Sequence, residues 1–197
     1  MAKRTLDILL SFFGLLLLAP LFILISLWII IDSPGKLFYK QLRVGKNNTD
    51  FLLYKFRTMV NNADKKGLLT IGTHDIRITR CGYYLRRYKL DELPQLFNVL
   101  IGNMSLVGPR PEVRKYVLLY TAEQKKVLSV KPGITDYASI AYVHENEILG
   151  AAENPESTYI NEIMPAKLIL NMAYINNPGI ITDIKIILKT LARILGW

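Results

Sequence analysis

Cysteine and histidine are almost missing from this sequence. One cysteine, Cys81, and two histidines, His74 and His144, stand among 197 residues. A lone cysteine excludes a disulfide within the chain and fits a reducing compartment. So few sulfur and imidazole ligands also argue against a zinc site. Acidic residues are the minority: 16 Asp and Glu stand against 25 Lys and Arg, a formal net charge of +9. That balance suits anionic partners such as phosphates, nucleotides, lipid headgroups or nucleic acid. Nucleic acid is set aside, because no recognition motif or aromatic-basic stacking run accompanies the charge. No internal repeat and no coiled-coil heptad is present.

Apolar residues, by contrast, make up 51% of the chain, which points to a membrane part. They concentrate in residues 8–31, after Lys3, Arg4 and Asp7 and before Asp32. The run is too long for a signal peptide, and Asp32-Ser33-Pro34 is a poor cleavage site, so a retained segment is expected. A straight helix of that length would rise about 36 Å, enough for a bilayer core of roughly 30 Å. A simple transmembrane span is one reading. Two features favour a helix that dips in, breaks at Ala19-Pro20 and returns to the same face. Pro20 removes a backbone hydrogen bond in mid-run. Both flanks are basic, with Lys3 and Arg4 before and Lys36, Lys40, Arg43 and Lys46 after, so both ends prefer the cytoplasm. The carbonyl freed by Pro20 would need a partner, with Ser11 and Ser26 as candidates.

From Pro34 the composition becomes that of a globular domain. Residues 36–44 and 51–57 read as short strands around a turn at Gly45-Lys46-Asn47-Asn48. In Tyr54-Lys55-Phe56-Arg57-Thr58-Met59, alternation puts Lys55 and Arg57 on one side. The polar residues 61–72 read as a mobile loop or a short helix.

The most informative stretch is Arg86-Arg87-Tyr88-Lys89-Leu90-Asp91-Glu92-Leu93-Pro94. Pro94 suits the first turn of a helix, and Leu93, Leu96, Phe97 and Leu100 recur at the spacing of a buried helix face. Asp91 and Glu92 thereby fall at a helix N-terminus, whose partial positive charge helps keep Asp91 ionised. An acidic capping turn is the plain reading of this pair, and a site for chemistry is the other. Downstream, Arg110 is held between Pro109 and Pro111, either as an ordinary turn or as a rigid cation for a phosphate. Residues 112–126 read as a helix, Lys131-Pro132-Gly133-Ile134-Thr135 as a tight turn, and residues 151–157 as a polar insertion. Near the C-terminus, Ile180, Ile181, Ile184, Ile187, Leu188, Leu191 and Leu195 form an apolar stripe, with Lys185, Lys189 and Arg193 on another face. This fits a helix in a membrane interface, or one packed on the core.

These motifs, taken in order, resemble the bacterial sugar transferases, and more narrowly the small monotopic phosphoglycosyl transferases. They are Lys-Arg-x-x-Asp at residues 3–7, the Ala19-Pro20 break, Gln-x-Arg-x-Gly at 41–45 and Lys-Phe-Arg-Thr-Met at 55–59. Asp-x-Arg-Ile-Thr at 75–79, Leu-Asp-Glu-Leu-Pro-Gln-Leu-Phe-Asn at 90–98, Val-Gly-Pro-Arg-Pro-Glu at 107–112 and Lys-Pro-Gly-Ile-Thr at 131–135 follow. The resemblance implies an α+β, mainly helical catalytic domain with short strands over residues 34–197, including an interfacial helix at about 180–195. Residues 1–33 would form its re-entrant membrane helix, and no multi-span region is expected before it. It implies transfer of a phospho-sugar from a nucleotide diphosphate sugar, usually UDP-linked, to polyprenol phosphate at the cytoplasmic face of the bacterial inner membrane. It further implies Asp91 as nucleophile, Glu92 as its partner in holding Mg²⁺, and Lys55, Arg86 and Arg110 as contacts to substrate phosphates.

Two positions depart from the pattern. Val143, or His144 with a slip, stands where many relatives carry a functional Arg. Leu170-Asn171 replaces a Leu-Asp pair. A membrane-anchored scaffold that kept the fold but lost activity is therefore the competing expectation.

Overall fold

A computed structural model describes residues 2–61, 63 and 75–194 of the chain. Most of the 61–72 stretch, His74 and Leu195 lie outside the described residues. The fold is α+β and mainly helical.

The apolar N-terminal run forms α1, Ala2–Asp32, and helical structure continues through Pro20. No interruption therefore appears at Ala19-Pro20. Among the described residues, α1 alone is long and apolar enough to cross a membrane. One stripe of it faces the domain. Asp7, Ser11, Ile25 and Ile29 are buried, while Leu17 and Ile31 are 81% exposed. Burial of Ile25 and Ile29 contributes about 1.5–3 kcal/mol each. Ser11 Oγ donates to Ile8 O at 3.1 Å, so its hydroxyl serves its own turn and not the carbonyl freed by Pro20.

Strands β1, Phe38–Val44, and β2, Asp50–Phe56, form an antiparallel hairpin with Tyr39 opposite Lys55. The expected turn is there, as a 3₁₀ turn Lys46–Asn48, with Asn47 and Asn48 left-handed at φ 55° and 61°. Asparagine tolerates that conformation because its short polar side chain bonds locally. Next come α2, Arg80–Arg87, a 3₁₀ turn Leu90–Glu92, and α3, Gln95–Ile101.

Helix α3 corrects the sequence reading. Its inward face carries Gln95, Asn98 and Val99, whereas Phe97 is 40% exposed. Leu96 and Phe97 turn toward α1 instead. A Cβ on Gly14 would lie 3.6 Å from Leu96, and the Phe22 and Phe97 rings meet edge to face at 6.1 Å. Asn98 clamps α3 to β2 by accepting from Tyr54 N and donating to Leu52 O. The apolar face was legible, but its partner is a separate helix and not the domain core.

Strand β3, Ser105–Val107, pairs in parallel with β4, Gly133–Thr135. Between them lie α4, Arg114–Val117, and a 3₁₀ turn, Gln124–Ser129, so the single helix expected over 112–126 is two short pieces. Five further helices follow among the described residues: α5, Tyr137–Ala141; α6, Glu145–Ala151; α7, Pro155–Thr158; α8, Met164–Asn176, entered through a π-helical turn; and α9, Ile180–Ile194. Thus α6 and α7 structure the ends of the insertion expected at 151–157. The largest cluster of buried side chains joins α4, α6 and α8 through Tyr116, Leu149, Tyr159 and Leu168. On α9, Ile186 is fully buried while Ile181 and Leu188 are 72% and 60% exposed, so the helix packs on the core and presents an apolar outer face.

Candidate active site

Three local devices bring the site together. First, Lys89 adopts a left-handed conformation, φ 55°, which turns the chain sharply between α2 and the Leu90–Glu92 turn. Asp91 and Glu92 thus precede α3, with Pro94 just ahead of its first residue. Second, the motifs at 107–112 and 131–135 meet backbone to backbone. Gly108 N donates to Thr135 O, and Gly133 N donates to Pro109 O, both at 3.0 Å. A Cβ on Gly133 would fall 2.1 Å from Gly108 N, so only glycine permits this approach. Third, Asp136 Oδ2 accepts from Arg110 N at 3.0 Å while its Oδ1 caps α5 through Ser139 N. The Arg110 loop is thereby fixed from both sides.

Asp91 and Glu92 are adjacent in sequence but differ in surroundings. Glu92 is saturated. Lys55 Nζ donates to its Oε1 at 2.9 Å, and Arg110 binds both oxygens in a fork, with Nη1 at 3.1 Å from Oε2. Burial alone would raise the Glu92 carboxyl, but Arg110 and Lys55 together hold it well below the usual carboxylate range. Glu92 in turn pushes the Arg110 guanidinium upward. Burial draws Lys55 downward despite its acidic neighbours.

Asp91 is 6% exposed, and its Oδ1 is buried without a hydrogen-bond partner. Burial pushes its carboxyl up, and Lys55 only partly opposes this. Desolvation therefore works against the ionised form that the helix terminus was expected to favour. Arg86 points its Nε at Thr58 Oγ1, 2.9 Å away, and lies among the charges that act on Asp91. Arg57 is used differently: its guanidinium binds the carbonyls of Ser33 and Pro34 and so fixes the end of α1.

All of Lys55, Arg86, Asp91, Glu92 and Arg110 line one cavity of about 1380 Å³. Ala19 and Pro20 are not among its lining residues; the α1 contributions are Leu10, Gly14, Leu17 and Leu18. The volume exceeds the roughly 300–1,000 Å³ usual for one small ligand. Apolar wall comes from α1 and from Ile187 and Leu191 of α9. No group of three or more metal-ligating side chains occurs among the described residues. The donor set nevertheless fits Mg²⁺, which uses one or two carboxylates plus substrate phosphates. The unpartnered Asp91 oxygen is available for it, whereas Glu92 is already neutralised by two cations.

Sequence reasoning missed the residues that position the others. Thr58 and Asp136 carried no signal beyond lying in or beside a motif, and the left-handed Lys89 carried none. Arg43 was read only as a basic flank and a motif member; it pairs with Glu112, which also accepts from Tyr159 Oη, at another part of the cavity wall.

A family profile described as "Bacterial sugar transferase" matches residues 1–196. Over 196 residues, or 98% of the chain, it is 37% identical to a UDP-N-acetylgalactosamine-undecaprenyl-phosphate N-acetylgalactosaminephosphotransferase of Aeromonas hydrophila, covering 43% of that protein. It is likewise 37% identical to the uncharacterized sugar transferase EpsL of Bacillus subtilis, with 98% of the chain and 87% of the relative aligned. A UDP-glucose:undecaprenyl-phosphate glucose-1-phosphate transferase of Xanthomonas campestris shares 37% identity over 99% of the chain and 39% of its own length. The chain therefore spans less than half of the Aeromonas and Xanthomonas relatives.

Proposed function

The chain belongs to the bacterial sugar transferase family, and from that premise we propose that it transfers a sugar phosphate from a UDP-sugar to undecaprenyl phosphate. The observation that carries the reading is the buried, unpartnered Oδ1 of Asp91, set in a cavity with Lys55, Arg86 and Arg110. A buried carboxylate oxygen with nothing to bond is costly for stability alone. It suits a group that must meet phosphorus.

In the first half-reaction the Asp91 carboxylate attacks the β-phosphorus of the donor. The bond from that phosphorus to the bridging oxygen breaks, UMP leaves, and an acyl phospho-sugar remains on Asp91. In the second, an oxygen of the carrier phosphate attacks the same phosphorus and the bond to Asp91 breaks. The products are the free carboxylate and a polyprenol diphosphate sugar. The acceptor is already largely ionised, so no general base is required. Two anions meet in each step. Arg110, oriented by Glu92, together with Lys55 and Arg86 lowers that repulsion. Mg²⁺ bound at Asp91 and the donor phosphates would add further charge neutralisation.

The carrier's tail has a path along the apolar wall from α1 and α9. Both ends of α1 bond the same domain: Lys3, Arg4 and Asp7 at one end, Asp32 and the Ser33 carbonyl at the other. A helix tied down at both ends does not readily place them on opposite sides of a bilayer. We therefore read α1 as a re-entrant anchor with both ends at the cytoplasmic face of the inner membrane. Impermeant labelling of cysteines engineered at residues 2 and 36 in intact cells tests this; external reaction of the first alone would sink it.

The chemical test is UMP release from a panel of UDP-sugars with Mg²⁺ and undecaprenyl phosphate. Intact-protein mass spectrometry without the acceptor should reveal one phospho-sugar adduct, absent in Asp91→Asn. Turnover without an adduct and with intersecting-line kinetics would mean direct transfer. Silence across the whole panel would favour the scaffold reading.

A further inference from the structure

The cavity wall beyond Arg110 has a second set of unpartnered polar atoms. Asn171, on α8, is 5% exposed, and its Oδ1 is buried with no hydrogen-bond partner. Ser139, on α5, has a buried Oγ in the same condition. The two helices pack on each other, and both residues line the cavity that holds Asp91. Each is tied to the Arg110 loop. Asp136 bridges Arg110 N and Ser139 N, and Asn171 shares a small side cavity with Arg110, Pro111 and Glu112.

The charges on this wall are already paired. Lys167 Nζ lies 2.7 Å from Glu145, and Arg43 lies 3.2 Å from Glu112. What remains unsatisfied is neutral: an amide oxygen and a hydroxyl. Buried polar atoms without partners are costly to keep, so two on one cavity wall mark a place where something else bonds. A phosphate is a poor candidate, because an amide oxygen only accepts. An N–H or O–H donor fits, and Ser139 can accept or donate beside it.

We propose that Asn171 and Ser139 read the neutral, hydrogen-bonding part of the donor, either the imide of its base or the hydroxyl and amide groups of its sugar, and so set donor specificity. This rests on the transferase reading, in which the diphosphate lies between Arg110 and Asp91 and its uncharged ends extend along the wall. Asn171 is then a functional residue where relatives' Leu-Asp pair is absent, and not a sign of decay.

The test uses the full chain in lipid nanodiscs. Kd is measured for UMP, UDP-glucose and UDP-N-acetylgalactosamine, and KM and kcat for UMP release, in wild type, Asn171→Leu and Ser139→Ala. Thermal melts run in parallel, and Ser139→Ala removes only one hydroxyl should Asn171→Leu fold poorly. The expected result is a rise of about 3- to 10-fold in Kd and KM for each variant with kcat nearly unchanged, the size of one neutral hydrogen bond. An equal rise for UMP and both UDP-sugars assigns the wall to the base; a rise confined to UDP-sugars assigns it to the sugar. Unchanged Kd values in both variants, with wild type still releasing UMP, overturn the inference and leave the transferase reading standing. A wild type that neither binds nor turns over any donor removes both.

Discussion

Asp7 and Asp91 are buried almost equally, at 4% and 6% exposure, and each lies near basic side chains. Their surroundings differ in one respect. Asp7 accepts from Ser105 Oγ at 3.1 Å and from Leu106 N at 3.0 Å. Around it, Lys3 bonds Asp183 and Val107 O, while Arg4 bonds the carbonyls of Val99 and Leu100 at the end of α3. Asp183 is also met by Tyr174 Oη. In this clamp each acid has partners of its own fold. At Asp91 the neighbouring Lys55 and Arg110 bond Glu92, and one oxygen of Asp91 has no partner. A satisfied buried acid holds structure, and an unsatisfied one awaits a ligand.

The largest expected effect separates the two. Asp91→Asn should lower turnover on the order of 10⁴- to 10⁶-fold, the scale seen when a nucleophile is removed. Its melting temperature should not fall. Asp7→Ala should behave in the opposite way. Leaving Ser105 and Leu106 N unpaired costs about 1–3 kcal/mol, or roughly 2–4 °C of melting temperature per kcal/mol for a chain of this size, with the kcat of the folded fraction retained. Equal effects on activity would erase the distinction. Next in size is Arg110→Lys. Lysine lacks the planar fork, so one charge-assisted contact should be lost, about 1.5–3 kcal/mol or roughly 10- to 150-fold in kcat/KM. Wild-type kinetics in Arg110→Ala would remove Arg110 from the site.

A smaller effect has opposite signs at the two neighbouring acids. The folded state raises the Asp91 carboxyl, so its contribution to stability is present in acid and lost as pH rises through the folded value. Asp91→Asn removes that loss. Its melting temperature should exceed wild type most near neutral pH, with the gain vanishing toward about pH 4. The folded state lowers Glu92, so its contribution is present above its ordinary value and lost only as pH falls through the folded one. Glu92→Gln should therefore be destabilised at neutral pH. Parallel melting curves for the two variants across pH would contradict this assignment.

The hairpin, the C-terminal helix and the acidic pair were legible because each is a local pattern: alternation, an apolar stripe, a charge cluster at a proline; Lys55, Arg86 and Arg110 entered as the pair's cations only through the family resemblance. The partners were not. Lys3 and Arg4 read as basic flanks of a membrane run, and in the fold they also bond the domain. Phe97 read as part of a buried helix face, and its ring meets α1 while staying 40% exposed. Residues 112–126 read as one helix, but a 3₁₀ turn takes part of the stretch. Such assignments depend on which distant segment arrives, and that is settled by packing across long sequence separations. Burial belongs to the same class: the sign of the Asp91 shift follows from surroundings that no local window contains.

The smallest expected effect lies under α1. Cys81 is 1% exposed, packed in a cluster with Ile25, Ile29, Phe56 and Leu85, and its backbone N donates to Asp32 at 2.9 Å. Burial first, and then the Asp32 charge, push its thiol up to about 11. At pH 8 roughly one such thiol in a thousand is ionised, and only the thiolate reacts. Native Cys81 should therefore alkylate far more slowly than the unfolded chain. A cysteine placed in the cavity, Val143→Cys, should label readily and be protected by a UDP-sugar. The slow thiol then becomes a gauge of the clamp. Asp7→Ala or Lys3→Ala loosens α1 at its far end and should raise the Cys81 rate by a few-fold, while Asp91→Asn should leave it unmoved. If Asp91→Asn accelerated Cys81 as much as Asp7→Ala does, both acids would be holding the same structure, and the division between clamp and site would fail.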